Sequence, residues 1–169
     1  LIELLQRTSD FDAVAVTMTG EMADCFATRE EGVCRILEQV TRILPAGLVR
    51  VYSLDSHWLR VTAAARDAWS VASANWKALA EFCCRYFQDQ AGILIDVGST
   101  TTDILAIECN EYGKTYVATS SRSDRDRLQS GELVYTGVER SNIVGLVKSL
   151  LVHDIPCPII NEQFATIHD

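Results

Sequence analysis

The stretch from Gly92 to Glu108, "GILIDVGSTTTDILAIE", contains two apolar runs joined by a polar loop. The loop has a glycine, Gly98, and then four consecutive hydroxyl side chains, Ser99 to Thr102. Asp96 precedes the loop and Asp103 follows it. A tight hairpin needs only one or two residues with turn chemistry. This loop therefore has more polar groups than a connection between strands requires.

The spacing of Asp96, Gly98, Thr101 and Asp103 forms the pattern D-x-G-x-x-T-x-D, which suits a phosphate. Glycine lets the backbone approach an anion closely, and successive N–H groups in a turn form a concave anion site. Two carboxylates would repel a phosphate directly, so we expect Asp96 and Asp103 to act through Mg²⁺. Asp96 is also a candidate general base. The predicted phosphate ligands in the loop are Gly98, Ser99, Thr100, Thr101 and Thr102.

The same residues also fit an ordinary hairpin, in which serine and threonine bond to their own backbone and Asp103 is a cap. Short glycine motifs match many unrelated sequences, so the pattern alone leaves both interpretations open. The loop is neither a Walker loop nor a Rossmann fingerprint, because both of those lead into a helix.

Three closely spaced strands are predicted around the loop. "GILIDV" is almost uninterrupted by polar residues, so we expect both of its faces to be covered. "DILAIE" and "KTYVAT" (Lys114–Thr119) follow at short intervals. The connections are too short for helical crossovers, so the strands should form an antiparallel meander.

The first half of the chain predicts a βαβ unit, which makes the fold class α/β with a mixed sheet. "DAVAVTM" (Asp12–Met18) and "LVRVYSL" (Leu48–Leu54) are strands, with a helix over Arg29–Leu44 between them. Thr28 stands three residues before Glu31, which is a capping-box signature. We expect two lobes, 1–90 and 91–169.

The rest of the chain gives weaker signals. Residues 55–72 read as an irregular loop, and a second helix begins at Asn75. The segment "SDRDRLQSGELVYTGVERS" should cover the open end of the sheet. "SNIVGLVKSLLV" fits either a helix or a strand-rich segment, and the two prolines of "IPCPII" restrict any strand there to an edge or a short length.

Composition excludes several classes of protein. The 169 residues have a net charge of −8, which argues against sequence-independent binding to nucleic acid or to an anionic membrane. No apolar run approaches the roughly 20 residues of a membrane span. The six cysteines include no C-x-x-C pair, so we expect reduced, mostly buried cysteines in a cytoplasmic protein. The three histidines show no ligand spacing.

Further polar residues are candidates for a cleft. Glu21 and Asp24 follow a strand end, where open α/β sheets bind ligands, and a helical turn would place both carboxylates on one side; alternatively they only favour a helix start. Arg125 and Arg127 are candidates for a phosphate clamp, or part of a solvated charged face. Asn75 is a helix cap, which is the interpretation we favour, or a polar group facing the cleft.

Several segments together resemble a known family. "LIDVGSTTTDI" is similar to the second phosphate loop of the actin/hexokinase/Hsp70 superfamily, in its hydantoinase/oxoprolinase-like version. "TMTGEMADCFATREEGV", "ASANWKALA" and "RSDRDRLQSGELVYTGV" resemble the tetrahydromethanopterin-linked C1-transfer group within it, which includes the methanofuran-biosynthesis synthase. The resemblance implies an actin-type, ribonuclease-H-like ATPase fold. It also adds Asn75, Asp124, Glu132 and Arg127 to the cleft candidates. For Glu21 and Asp24, it brings the ligand-binding interpretation level with that of a helix start.

The resemblance implies three alternative functions. The first is a transferase that joins an aminomethylfuran group, from its diphosphate, to a phenol and releases pyrophosphate. Asp96, Glu21 and Asp24 are its candidate bases. The second is an ATP-dependent hydantoinase-type hydrolase or small-molecule kinase, and the third is a non-catalytic regulatory domain. Mg²⁺ is the expected cofactor, with ATP as a further candidate. A small-molecule phosphate or diphosphate is the expected partner, and a homo-oligomer is compatible with the sequence.

The resemblance also implies that part of the family's cleft lies outside this sequence. Relatives begin with a strand–loop–strand of the type D-I-G-G-A-N, whereas this sequence opens at "LIELLQRTSDFD". They also continue with a further strand after the position of "NEQFATIHD". We therefore expect a fragment with one of two phosphate loops.

Overall fold

A computed structural model describes residues 11–141 and 143–160, and its first unit is a three-stranded sheet in the order β1-β2-β3. Strands β1 (Val14–Val16) and β2 (Val49–Tyr52) pair in parallel, and helix α1 (Arg29–Ile43) connects them. The predicted βαβ unit is confirmed. Strand β3 (Trp58–Leu59) pairs with β2 in antiparallel orientation, so this sheet is mixed.

Helix α1 begins at the predicted cap residue, Thr28, although the reciprocal bond to Glu31 comes from the residue before the cap. The Glu31 N–H donates to Thr28 Oγ1 over 3.1 Å, and the Ala27 N–H donates to the Glu31 carboxylate over 3.1 Å. One face of the helix is apolar, and its Val33 and Leu37 are buried in the same core cluster as strand β2.

The segment 55–72 is more ordered than its sequence suggested. The prediction of an irregular loop is wrong, because β3, helix α2 (Val61–Arg66) and a 3₁₀ turn (Ala68–Ser70) lie within it. Helix α2 has six residues, fewer than two turns, so its sequence shows no amphipathic period. Ala64 and Ala68 of this segment are buried in the same hydrophobic core as helix α1 and strand β2, so the segment is packed against the first unit.

The second unit is a four-stranded sheet. Strands β4 (Gly92–Val97), β5 (Thr102–Cys109) and β6 (Thr115–Val117) form the predicted antiparallel meander. The predicted covering segment extends it: helix α4 (Asp124–Ser130) leads to strand β7 (Leu133–Val134), which pairs with the start of β5.

One face of this sheet is covered by helix α3 (Asn75–Cys84). Trp76 and Ala80 of the helix pack in one cluster with Leu105 and Ile107 of β5. The prediction that both faces of β4 are covered is wrong within the residues described, since Ile93 and Ile95 are 66% and 60% exposed. An apolar run shows that a strand is hydrophobic but does not show whether another layer lies on each face.

The described C-terminal part contains helix α5 (Ile143–Leu146) and a hairpin of β8 (Ser149–Val152) and β9 (Ile155–Pro158). The two prolines of β9 lie in a short two-stranded sheet, as predicted. No helix in the described ranges is long and apolar enough to cross a bilayer. The ends on which the fragment prediction rests, 1–10 and 161–169, lie outside the described residues.

The described cysteines are all free, as predicted, but most are not buried. Cys84 is buried, whereas Cys25, Cys34 and Cys157 are exposed. The prediction of mostly buried cysteines is therefore wrong, because residue type alone does not say which face of an element a side chain occupies.

Candidate phosphate-binding site

The hydroxyl-rich loop is a four-residue hairpin connection, residues 98–101, between β4 and β5. The Gly98 N–H donates to the Thr101 carbonyl over 2.8 Å and closes it. Val97 pairs with Thr102 at its base. The hydrogen bonds between β4 and β5 therefore fix both ends of the loop where the two strands meet.

A second segment, residues 136–140, packs along this loop, and we call it the brace. The N–H groups of Val138, Glu139 and Arg140 donate to the carbonyls of Gly98 and Ser99 over 2.7 to 3.1 Å. Gly137 lies so close that a Cβ there would stand 2.4 Å from the Ser99–Thr100 peptide group. A side chain at position 137 would therefore displace the loop.

With the brace in place, the carbonyl groups and the N–H groups of the loop differ in their hydrogen bonding. The carbonyls of Gly98, Ser99 and Thr101 each accept a hydrogen bond. Within the described part of the chain, the N–H groups of Ser99, Thr100 and Thr101 have no acceptor. Successive unpaired N–H groups on a turn form an anion-binding concavity. This arrangement favours the phosphate interpretation over a self-capped hairpin.

The loop hydroxyls divide into two groups. Thr102 Oγ1 donates to the Thr136 carbonyl over 2.7 Å, so this hydroxyl joins the loop to the brace. Ser99 Oγ and Thr100 Oγ1 lie 3.4 Å apart on the outer part of the loop. The Arg140 guanidinium reaches within 3.5 Å of Ser99 Oγ.

The two carboxylates at the base of the loop have different environments. Asp96 and Asp103 are direct partners across the β4–β5 ladder, on the face that also presents the buried Leu105. The Arg127 guanidinium pairs with the Asp103 carboxylate. Among the described residues the half-buried Asp96 carboxylate has no hydrogen-bond or ion-pair partner. Asp96 is thus the carboxylate available to a ligand.

Arg127, a predicted phosphate clamp, lies inside the protein. Its side chain is 3% exposed, it contacts Asp124 over 3.4 Å as well as Asp103, and its guanidinium carbon lies 4.2 Å from the centre of the Trp76 ring. Burial lowers the pKa of Arg127 to about 10, although nearby Glu132 opposes that change. The group is therefore still charged at neutral pH.

The other motif acids hold elements together. Asp124 also binds Arg29 of helix α1, with Nη2 and Oδ2 2.7 Å apart. Glu132 accepts from Thr119 Oγ1 with both carboxylate oxygens, over 2.8 and 2.9 Å. Asp124 therefore connects helix α4 to helix α1, and Glu132 connects the residue before β7 to a residue just after β6.

Glu21 and Asp24 do not share one environment. Their segment forms successive turns, so the expected helical turn is not present, and Glu21 is fully buried while Asp24 is exposed. Ser73 Oγ donates to Glu21 Oε1 over 2.6 Å, and Oε2 has no partner among the described residues. Gly32 packs directly on the Glu21 carbonyl, where a Cβ would stand 2.2 Å away. The structure thus places Glu21 under the start of helix α1.

Asn75 is the first residue of helix α3, and Ala74 occupies the cap position without a side-chain cap bond. The prediction that Asn75 caps this helix is therefore wrong. Its half-buried amide remains a candidate for the cleft.

No group of three or more His, Cys, Asp or Glu side chains in the described ranges could hold a metal by itself. The donor set fits Mg²⁺ in another way, since this ion keeps several waters and is commonly bound by one or two carboxylates together with substrate phosphates. Asp96 is the protein oxygen donor beside the loop. A groove of about 560 Å³ along helix α1 is lined by none of the predicted site residues.

Comparison with known proteins places the sequence. The profile of the hydantoinase/oxoprolinase family matches residues 12–162. The chain belongs to the hydantoinase/oxoprolinase family. This agrees with the resemblance seen in its loop and in the motifs around it.

Two curated relatives share one name. The (4-{4-[2-(gamma-L-glutamylamino)ethyl]phenoxymethyl}furan-2-yl)methanamine synthase of Methanocaldococcus jannaschii is 33% identical over 170 residues, which cover 100% of this chain and 49% of that protein. The protein of the same name from Methanococcus vannielii is 37% identical over 81 residues, covering 48% of this chain and 34% of that protein. The chain thus spans about half the length of the M. jannaschii relative.

Sequence reasoning missed the brace and Arg140. The brace lies about 40 residues after the loop, and no short pattern connects them. One signal was present: Gly137 belongs to the motif "RSDRDRLQSGELVYTGV", of which only the charged residues Asp124, Arg127 and Glu132 were predicted as cleft candidates. A glycine that ends such a motif indicates close approach of two backbones.

Proposed function

We propose that this chain supplies the diphosphate-holding wall of an enzyme that transfers an aminomethylfuran group to a phenol and releases pyrophosphate. The observation on which this rests is the braced loop, whose backbone offers three consecutive N–H groups that have no acceptor in the described ranges. The name of the M. jannaschii relative describes a phenoxymethylfuran, which is the ether that such a transfer would make.

The reaction needs one bond to form and one to break. The phenol oxygen bonds to the methylene carbon on the furan ring, the bond from that carbon to the diphosphate oxygen breaks, and the phenol proton passes to a base. Donors that hold the departing diphosphate stabilise the charge that develops on it. In this scheme the N–H groups of residues 99–101 and the Ser99 and Thr100 hydroxyls bind the leaving group.

Asp96 would hold Mg²⁺ against the diphosphate, and a bound Mg²⁺ neutralises negative charge on the leaving oxygens. The base is assigned to an accessible carboxylate. Asp24 is exposed and meets that condition, and the half-buried Asp96 is the alternative base where it does not hold the metal; Glu21 is fully buried and is assigned a supporting role beneath helix α1.

An ATP-dependent hydrolase of the hydantoinase type is the second candidate, favoured by the family to which the chain belongs. The same loop would then hold ATP phosphates. An actin-type fold, which the family suggests, accommodates either ligand.

Calorimetry on the full-length protein distinguishes these proposals. We expect pyrophosphate to bind in the presence of Mg²⁺, ATP to bind much more weakly, and Asp96→Asn to lower turnover by about 100-fold or more. Glu111→Gln is the control, because this exposed carboxylate lies in the β5–β6 connection, at the end of β5 opposite the loop, and it should turn over normally.

Binding of ATP in preference to pyrophosphate would favour the hydrolase. If neither ligand bound and Asp96→Asn left turnover unchanged, both enzymatic proposals would be wrong.

A further inference from the structure

We infer that Arg140, and not Arg127, is the arginine that contacts the phosphate at the hydroxyl-rich loop. This rests on the proposed function, because it names a ligand contact of the same site. Arg140 lies outside the loop motif, and its position follows from the packing of the brace.

The backbone fixes Arg140 beside the loop. Its N–H donates to the Ser99 carbonyl over 2.7 Å, the shortest of the three brace bonds. The preceding N–H, of Glu139, donates to the same oxygen over 3.1 Å. The start of the Arg140 side chain is therefore held next to Ser99, the first of the three loop residues whose N–H groups are proposed to bind the phosphate.

The side chain then reaches toward the ligand side of the loop. Arg140 Nη2 lies 3.5 Å from Ser99 Oγ, and the residue is exposed. No described carboxylate lies within ion-pair distance of it. A guanidinium is planar and offers several donors, so it can bind a phosphate through two parallel hydrogen bonds.

Arg127 lacks this freedom. It is almost completely buried, pairs with Asp103 and Asp124, and stacks on Trp76. Moving it to a phosphate would leave the Asp103 carboxylate without its counter-charge and would leave Asp124 with Arg29 alone, and buried pairs resist such a loss strongly. The geometry thus separates the two arginines: Arg127 neutralises Asp103, and Arg140 is available to an anion.

The test is a titration of the full-length protein with pyrophosphate and Mg²⁺. We expect Arg140→Gln to weaken pyrophosphate binding by about 10-fold or more and Arg140→Lys to retain part of it, because a charge-assisted bond to phosphate is lost in the first and kept in the second. Arg66→Gln is the matched control, an exposed arginine of helix α2 outside every ion pair among the described residues, and should bind within about 2-fold of the wild type.

A second measurement does not depend on a substitution. Pyrophosphate with Mg²⁺ should slow the modification of Arg140 by an arginine-specific dicarbonyl reagent, read by peptide mapping, and should leave that of the exposed Arg66 unchanged.

Two failures are distinguishable. If the wild type does not bind pyrophosphate, the proposed function is overturned. If the wild type binds and Arg140→Gln binds equally well, with Arg140 unprotected, the proposed function stands and the assignment of Arg140 is wrong.

Discussion

At the scale of single residues, the loop depends on a glycine in another segment. Gly98 closes the hairpin, but Gly137 determines how near the brace can come. The N–H groups of the brace occupy the loop carbonyls, so the loop backbone presents its own N–H groups to an anion. A side chain at position 137 that pushed the brace away from the loop should therefore change phosphate binding as well as stability.

We expect Gly137→Ala to destabilise the protein by about 1–3 kcal/mol, because its methyl group would meet backbone atoms that cannot move away independently. The displaced loop should also bind pyrophosphate at least about 10-fold more weakly. Urea unfolding and calorimetry of the full-length protein measure the two effects. Gly47→Ala is the control, since an added Cβ there has no neighbour within 4 Å; equal behaviour of the two variants would refute the role of Gly137.

At the scale of elements, two helices begin in the same way. Thr28 accepts from the Glu31 N–H, and Ser123 accepts from the Asp126 N–H three residues later. In each case the acid of the first turn accepts from the N–H before the cap: Ala27 bonds to Glu31 and Arg122 to Asp126. These bonds satisfy N–H groups that a helix start leaves without partners.

We expect Thr28→Ala to lower the free energy of unfolding by about 1 kcal/mol, the usual effect of losing an N-cap oxygen. Thr28→Ser keeps that oxygen and should recover most of the loss. Urea denaturation followed by tryptophan fluorescence gives both values. An alanine variant as stable as the wild type would show that the cap contributes nothing here.

These elements also show what sequence could and could not predict. The βαβ unit, the capping box of helix α1 and the meander depend on neighbours in sequence, and all three predictions are confirmed. The predictions were wrong for the segment that contains helix α2, for the second face of β4 and for the cap of α3. The first two of these features depend on contacts, or their absence, with distant parts of the chain.

The candidate site likewise has features that the sequence could predict and features that it could not. The loop that would meet a phosphate was predictable from its composition, because glycine and hydroxyl side chains have local uses. The different environments of Asp96 and Asp103 were not, because they depend on Arg127, which is 24 residues beyond Asp103 in sequence. The role of the brace depends on backbone bonds that no side-chain pattern encodes.

At the scale of the whole molecule, polar contacts connect the two core clusters. Arg29 of helix α1 binds Asp124, which contacts Arg127, which binds Asp103 of β5. A second connection runs from Tyr52 of β2 to Glu81 of helix α3, which also accepts from Ser56. The unit that contains helix α1 is thereby connected to the sheet that presents the hydroxyl-rich loop.

The Tyr52 connection gives a pH-dependent prediction. Burial, and then the hydrogen bond to Glu81, raises the pKa of Tyr52 to about 12, above the ordinary value of about 10 in the unfolded chain. The folded state therefore holds this proton more tightly. Its contribution to stability is complete below pH 10 and is lost as the pH rises through about 12.

We expect the wild type to lose about 1 kcal/mol more stability than Tyr52→Phe between about pH 9.5 and 11.5, because phenylalanine has no proton to release. Urea unfolding at a series of pH values measures the difference. Tyr112→Phe is the control, since Tyr112 is 84% exposed, and its curve should run parallel to that of the wild type. A Tyr52→Phe curve that also ran parallel would show that burial and the hydrogen bond to Glu81 do not raise the pKa of Tyr52 in solution.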